Sequence, residues 1–172
     1  MADEDVSLAP EHGVVTTDPQ VPQSAVDRAV ETLRELAGWH IWPVREERLE
    51  LLVPGDGQVI LPTKRLLEVI ELSIDGSPVD IDRLVYSDDG VVYVPGLKPR
   101  RDDVPRKVIA RIRHGYEKLA DLTGVVLAMA ARSVQPQASY TVGRISVGAP
   151  GSATPQSTEW RLLDLYKLGA RP

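Results

Sequence analysis

Apolar positions along the chain change their spacing twice. Val26, Ala29, Val30, Leu33 and Ala37 recur at steps of three and four, which predicts an amphipathic helix with one buried stripe. Ser24 followed by Asp27 reads as a capping-box-like start. Gly38 suits the left-handed residue that ends such a helix. Pro43 keeps the helix from resuming and biases Trp42 towards an extended backbone. From Val44 to His114 the period becomes two. Leu49, Leu51 and Val53 alternate with polar residues. Ile70, Leu72 and Ile74 alternate with Glu71 and Ser73, and Val108, Ala110 and Ile112 with Lys107, Arg111 and Arg113. Asp75-Gly76 and Asp89-Gly90 are hairpin signals between these runs. Short strands so spaced predict an antiparallel β meander with one solvated face, over residues 44–114.

The helical period returns over residues 117–133. Leu119, Leu122, Val126 and Met129 form one row, and Ala120, Gly124, Ala128 and Ala131 form another. Val125 and Leu127 fall between them, so this helix is apolar nearly all round and needs burial. A chain of 172 residues supplies limited burial. The small-residue row is therefore expected to pack against a neighbouring subunit. Residues 134–158 are rich in Gly, Pro, Ser, Thr and Gln. They read as an arm, with a strand near 140–147 and a flexible linker at 149–155. A last helix is expected from Ser157, with Glu159 and Lys167 matching its dipole. Trp160, Leu162, Leu163, Leu165, Tyr166 and Leu168 make it more apolar than a free tail, so it is expected to dock on a partner. Residues 1–23 lack periodicity and contain three prolines, which predicts a flexible tail. The fold class is α+β: a small helical bundle with an inserted antiparallel β meander and an extended C-terminal arm plus helix. Its parts are the tail 1–23, a domain at 24–133, and the arm and docking helix at 134–172.

Composition sharpens this picture in three places. Hydrophobic residues are 42% of the chain, but there is no Phe, so the core must rest on Leu, Val, Ile and Ala. No apolar run approaches the roughly 18 residues that span a bilayer, and the acidic start has no apolar stretch after it, so neither membrane nor signal peptide is expected. Cys is absent, which excludes disulfides and thiolate-bound metals. The net charge of −5 belongs to the tail: Asp3, Glu4, Asp5, Glu11 and Asp18 face no Lys or Arg there, and the remainder is balanced. Within that remainder, Lys98, Arg100, Arg101, Arg106, Lys107, Arg111 and Arg113 form a basic stretch against Asp102 and Asp103. Two readings of it stay open. It contacts phosphate or an acidic partner, or it is a solvated loop plus the wet face of one strand. No aromatic residues interleave with the cations, which argues against a stacking platform for single strands.

Catalytic signatures are lacking. His12, His40 and His114 form no local metal motif, and there is no nucleophile elbow, Walker loop or dinucleotide fingerprint. Asp88-Asp89 and Asp102-Asp103 sit in turns, as solvated residues do. No enzyme, cofactor or metal is expected. His40 is expected to be a structural hydrogen-bonder.

The order of Gly38-Trp39-His40-Ile41-Trp42-Pro43, Leu61-Pro-Thr63, Asp75-Gly76, His114-Gly-Tyr116 and Ala-Ala-Arg132 resembles the head-to-tail connector, or adaptor, proteins of tailed bacteriophages, notably those of actinobacteria. The resemblance covers roughly residues 24–133. It implies a virion protein assembled in the host cytoplasm as a ring of twelve copies. The ring would sit under the portal protein, around the DNA exit channel, and meet the next neck or tail protein. Gly38, Trp39, His40, Trp42 and Pro43 would be its structural junction, and an extended arm or the terminal helix would grip the portal. Another neck component, a stopper or tail-completion protein, is the near alternative. A nucleic-acid-binding regulator using residues 98–113 is the distant one.

Overall fold

The computed structural model describes residues 10–54, 58–98, 104–135, 140–142, 145–147 and 154–169. Among them, helix α1 spans Gln23–Ala37, α2 spans Ala120–Val134 and α3 spans Ser157–Asp164. Strands β1 (Arg45–Val53), β2 (Gln58–Ile60), β3 (Leu66–Ile74), β4 (Ser77–Pro78), β5 (Val85–Tyr86), β6 (Val91–Tyr93) and β7 (Arg106–His114) fill the middle of the chain. β8 (Tyr140–Val142) and β9 (Ile145–Val147) form a separate hairpin. The fold is α+β with an antiparallel strand region, and the chain divides into two compact units.

The first unit joins residues 1–36 to 119–165. Its core is the expected α1 stripe, with Val26, Ala29, Val30 and Leu33 sealed from solvent, and the Leu122, Val126 and Met129 row of α2. Helix α1 starts one residue early, and Asp27 does not serve Ser24. Its carboxylate accepts from Gln23 Nε2 at 2.9 Å and pairs with His12 Nε2 at 3.1 Å. Gln23 also donates to the Val14 carbonyl and accepts from the Thr16 amide. These bonds, with Val14 and Val21 buried, fix residues 10–22, so the flexible tail expected over 1–23 is corrected there. Residues 1–9 lie outside the described residues. Helix α2 begins at Ala120 rather than 117.

The second unit joins residues 37–118 to 166–172. Its strands form two antiparallel sheets, in the orders β1-β7-β3-β4 and β2-β6-β5. Strand β7 lies between β1 and β3, so the strand last in sequence is central in space. Val59, Leu61, Val92, Val108, Ala110 and Ile112 are sealed in one core shared by both sheets. The expected alternation of Ile70, Leu72 and Ile74 is interrupted: the register of β3 on β7 slips between Leu66 and Glu68 and again between Val69 and Glu71. Each slip inserts a residue and turns the strand. Leu66, Val69 and Leu72 therefore point inward at steps of three, and Ile70 is only half-buried.

Two glycines close this unit. Gly90 has φ +89°, and a Cβ there would sit 2.7 Å from the Leu61 carbonyl oxygen and 2.9 Å from that of Thr63. Gly115 has φ +105°, and its Cβ would sit 2.9 Å from the Pro43 carbonyl oxygen. Gly76 has φ +80° but open space around it. We therefore expect Gly115→Ala to cost about 2–4 kcal/mol in denaturant unfolding, from positive φ and backbone collision together. Gly76→Ala should cost about 1 kcal/mol, from φ alone. Equal costs would show that the close approach at Gly115 carries no weight.

Candidate functional site

Two of the motifs, Gly38-to-Pro43 and His114-Gly-Tyr116, converge in the second unit. Gly38 ends α1 with φ +80°, as its position predicts, and the Trp42–Pro43 peptide is cis. The Trp39 indole N–H donates to the Tyr166 carbonyl at 2.6 Å. Its ring lies 6.0 Å from that of His114 and 6.2 Å from that of Tyr116. Tyr116 in turn meets Tyr166 edge-on at 5.6 Å, a favoured aromatic geometry. The backbone closes the same knot. The Tyr116 amide donates to Ile41, the Gly115 amide to Arg65 and the Leu168 amide to Ala37. Gly38-to-Pro43 and His114-Gly-Tyr116 are thus two halves of one clasp, and residues 166–168 are its third strand of contacts.

The histidines of the clasp are structural. His40 is buried and donates from Nε2 to the Pro43 carbonyl at 2.6 Å. His114 is 1% exposed and donates from Nε2 to the Glu47 carboxylate at 2.8 Å, and Arg45 pairs with the same carboxylate at 2.9 Å. Burial pushes His114 below its ordinary value of 6.5, Glu47 pulls it back up, and the Arg45 charge lowers it again. Burial also pushes the Glu47 carboxyl up, but Arg45 and His114 together outweigh it and hold the group below 4.5. In both groups the unfolded chain takes up its proton at a higher pH than the folded one. Each therefore contributes stability that is lost as pH falls, His114 below about 6.5 and Glu47 below about 4.5. Urea midpoints measured from pH 8 to pH 4 should fall in those two windows. His114→Asn should flatten the upper one, and an unchanged upper slope would exclude His114 as its source.

The terminal segment departs from expectation. Leu163 is sealed in the first unit, while Tyr166 and Leu168 make contacts in the clasp and stay half-buried. Helix α3 ends at Asp164, short of the 168 expected. Its start is held by a residue of the Ala-Ala-Arg132 motif. Arg132 binds Glu159 with two parallel hydrogen bonds of 2.9 and 2.7 Å, and Glu159 also accepts from the Gln156 amide at 2.7 Å. The Arg132 bond holds the Glu159 carboxyl below its ordinary value, against partial burial. Only the identity of the motif hinted at this pair, because 27 residues separate its members. Leu162 and Leu165 stay exposed, at 38% and 65%, and Trp160 is half-buried. Removing residues 166–172 should unfold the clasp. We expect the truncated chain to lose about 2–4 kcal/mol in denaturant unfolding, on the scale of a lost aromatic side chain, and to lose tryptophan burial by fluorescence.

The part of the basic stretch on β7 follows the second of its two readings, the wet face of one strand. On β7, Arg106 pairs with Asp75 at 2.9 Å, Lys107 with Glu50 at 2.5 Å and Arg111 with Glu71 at 2.7 Å. Arg113 lies in register between Glu46 and Glu68. Lys107 holds the Glu50 carboxyl below its ordinary value. The wet face of the sheet is a ladder of alternating charge, because β1 and β3 bring glutamates from far along the chain. Lys98 is exposed, and Arg100, Arg101, Asp102 and Asp103 lie outside the described residues. The turn carboxylates act as expected: Asp88 pairs with Arg65 at 2.8 Å, and Asp89 accepts from the Ser87 hydroxyl.

Of the small-residue row on α2, Ala120 and Gly124 are exposed and Ala128 and Ala131 half-buried, so the single chain leaves this row largely uncovered. Among the described residues no group of three His, Cys, Asp or Glu is placed to hold a metal, and no helix is long and apolar enough to cross a membrane.

No protein-family model and no curated protein matches the chain. Several solved chains share its fold, among them two from particle necks. One is a chain of the neck of the native GTA (gene transfer agent) particle, computed with C12 symmetry. It is 18% identical with a TM-score of 0.56, over 92% of this chain and 97% of that one. The other is a chain of the neck of the empty GTA particle, computed with C6 symmetry. It is 19% identical with a TM-score of 0.55, over 87% of this chain and 80% of that one.

Proposed function

We propose that this chain is a structural neck protein of a phage-like particle, a subunit of a ring between the portal and the tail. One observation carries the reading: the fold is shared along nearly the whole of both chains with a component of a symmetric particle neck. In finer detail, we place it as the adaptor seated on the portal protein, in twelve copies around the exiting genome, with the next neck or tail protein below. No catalysis is assigned to it. His40, Asp88 and Asp89 are all committed to local hydrogen bonds or ion pairs, which supports that choice.

Two exposed features suit the assembly role. The row of Ala120 and Gly124, exposed, with Ala128 and Ala131, half-buried, admits a neighbour's backbone at close range, and Leu162 with Leu165 offers apolar contact on α3. A regulator acting through residues 98–113 is less well supported, since the β7 cations have carboxylate partners within the sheet. A virion lacking this gene should leave DNA-packaged heads without attached tails, seen by electron microscopy. Gly124→Leu should abolish ring formation while the isolated chain keeps its circular dichroism and unfolding midpoint. Leu162→Glu with Leu165→Glu should lower incorporation into particles about tenfold or more. Tailed, infectious particles lacking the chain would overturn the neck reading.

A further inference from the structure

His114 sits where strands begin and end. It is the last residue of β7, opposite Arg45 at the start of β1 and Leu66 at the start of β3. The residue is 1% exposed. Nε2 carries the proton that Glu47 Oε2 accepts, so Nδ1 holds the lone pair. Nδ1 is buried and hydrogen-bonds to no atom among the described residues. A second proton would place an N–H there without an acceptor, on a ring cut off from water. Both facts oppose the charged form.

The groups around the ring pull in different directions. From β1, the Glu47 carboxylate favours the imidazolium. Its other oxygen already pairs with Arg45 at 2.9 Å, and the Arg45 charge opposes a second cation. From the turn after α1, Trp39 and His40 each bring a ring to 6.0 Å. His40 Nε2 is bonded to the Pro43 carbonyl. From β3 comes the apolar Leu66. Burial outweighs Glu47, and the group stays below its ordinary value of 6.5.

A charged ring regains water only by leaving this place. Its neighbour Trp39 holds the Tyr166 carbonyl through the indole N–H. Tyr116, just beyond His114, meets the Tyr166 ring edge-on. Movement of His114 therefore loosens these two contacts of Tyr166. It acts at strand ends and not in the core. Val108, Ala110 and Ile112, further along β7, are sealed and flanked by β1 and β3. Opening at the ends of elements takes less free energy than global unfolding.

We propose that His114 is a proton-operated latch on the terminal segment 166–168: a second proton on its ring opens the clasp and frees that segment while the pairing of β7 with β1 and β3 stays closed. The latch belongs to the single chain and does not depend on the neck reading.

Hydrogen exchange in the full chain from pH 8 to pH 5, corrected for the intrinsic pH dependence of exchange, tests it. The Leu168 amide, which donates to Ala37, and the Trp39 indole N–H are expected to lose protection as pH falls below about 6.5. The Val108, Ala110 and Ile112 amides should keep theirs. Loss at both places together, or at neither, would overturn the latch. His114→Gln can still donate to Glu47 but does not titrate, so it should keep the Leu168 and Trp39 signals protected at pH 5. Loss of protection in that variant over the wild-type range would exclude His114. The wild-type data decide even if the variant does not fold. The opening constant should rise no more steeply than about tenfold per pH unit, the slope of a single proton. A steeper rise would show a second titrating group and overturn a latch made of His114 alone.

Discussion

The position of Gly115 admits no side chain. With φ +105° and a would-be Cβ 2.9 Å from the Pro43 carbonyl, only glycine lets the end of β7 pass beside the Trp42–Pro43 turn. That contact sets where the strand region begins and ends, because Pro43 precedes β1 and Gly115 follows β7. The long pairing of β1 with β7, from Arg45 opposite His114 to Val53 opposite Arg106, starts at this point. His114 and Glu47 are tied two residues into it, and Trp39 and Tyr116 flank it. A sheet whose middle strand is last in sequence needs such a closure, since every pairing of β7 is long-range and none is helped by a tight turn.

Much of this was legible in the residues, and the reasons differ by element. The limits of the strand region fell within a residue of expectation, because Pro43 and Gly115 are strong breakers on either side of a period-two pattern. Helix α1 was legible from Val26, Ala29, Val30 and Leu33. Strand order was not, since alternation says which face is buried and nothing about neighbours. The two bulges in β3 were hidden for a related reason: Leu66, Leu67, Val69 and Ile70 are all apolar, so either register fits the sequence. The clasp was half-visible. Its tryptophans, His40 and His114 stood out, but their partner Tyr166 lies 127 residues from Trp39. By its apolar surroundings alone, Tyr166 reads as a docking residue of the terminal helix.

The basic stretch shows why local charge counting fails in a sheet. Lys107, Arg111 and Arg113 look unopposed along the chain because strand neighbours are not sequence neighbours. Laid between β1 and β3, they meet Glu46, Glu50, Glu68 and Glu71, so the face is close to neutral and its field is short-ranged. Exposed pairs of this kind contribute little stability each. Their larger effect is on association: alternating charge along the open β1 edge disfavours strand addition there.

That bias leaves the chain with unequal surfaces. One sheet carries its charges on its outer face, with Leu52 exposed among them, and the other has no charged residue in its strands. On the helical side, the core row of α2 is sealed while Ala120 and Gly124 remain open. A monomer would gain solubility by placing charge at Val85, Tyr93, Ala120 or Gly124, where no internal packing forbids it. Charge is instead spent on the face of β1 and β7. Apolar or small residues thus stay uncovered in each of the two units, while charge is concentrated on the face of β1 and β7. On the neck reading proposed above, those uncovered positions are the ones a neighbouring copy would cover.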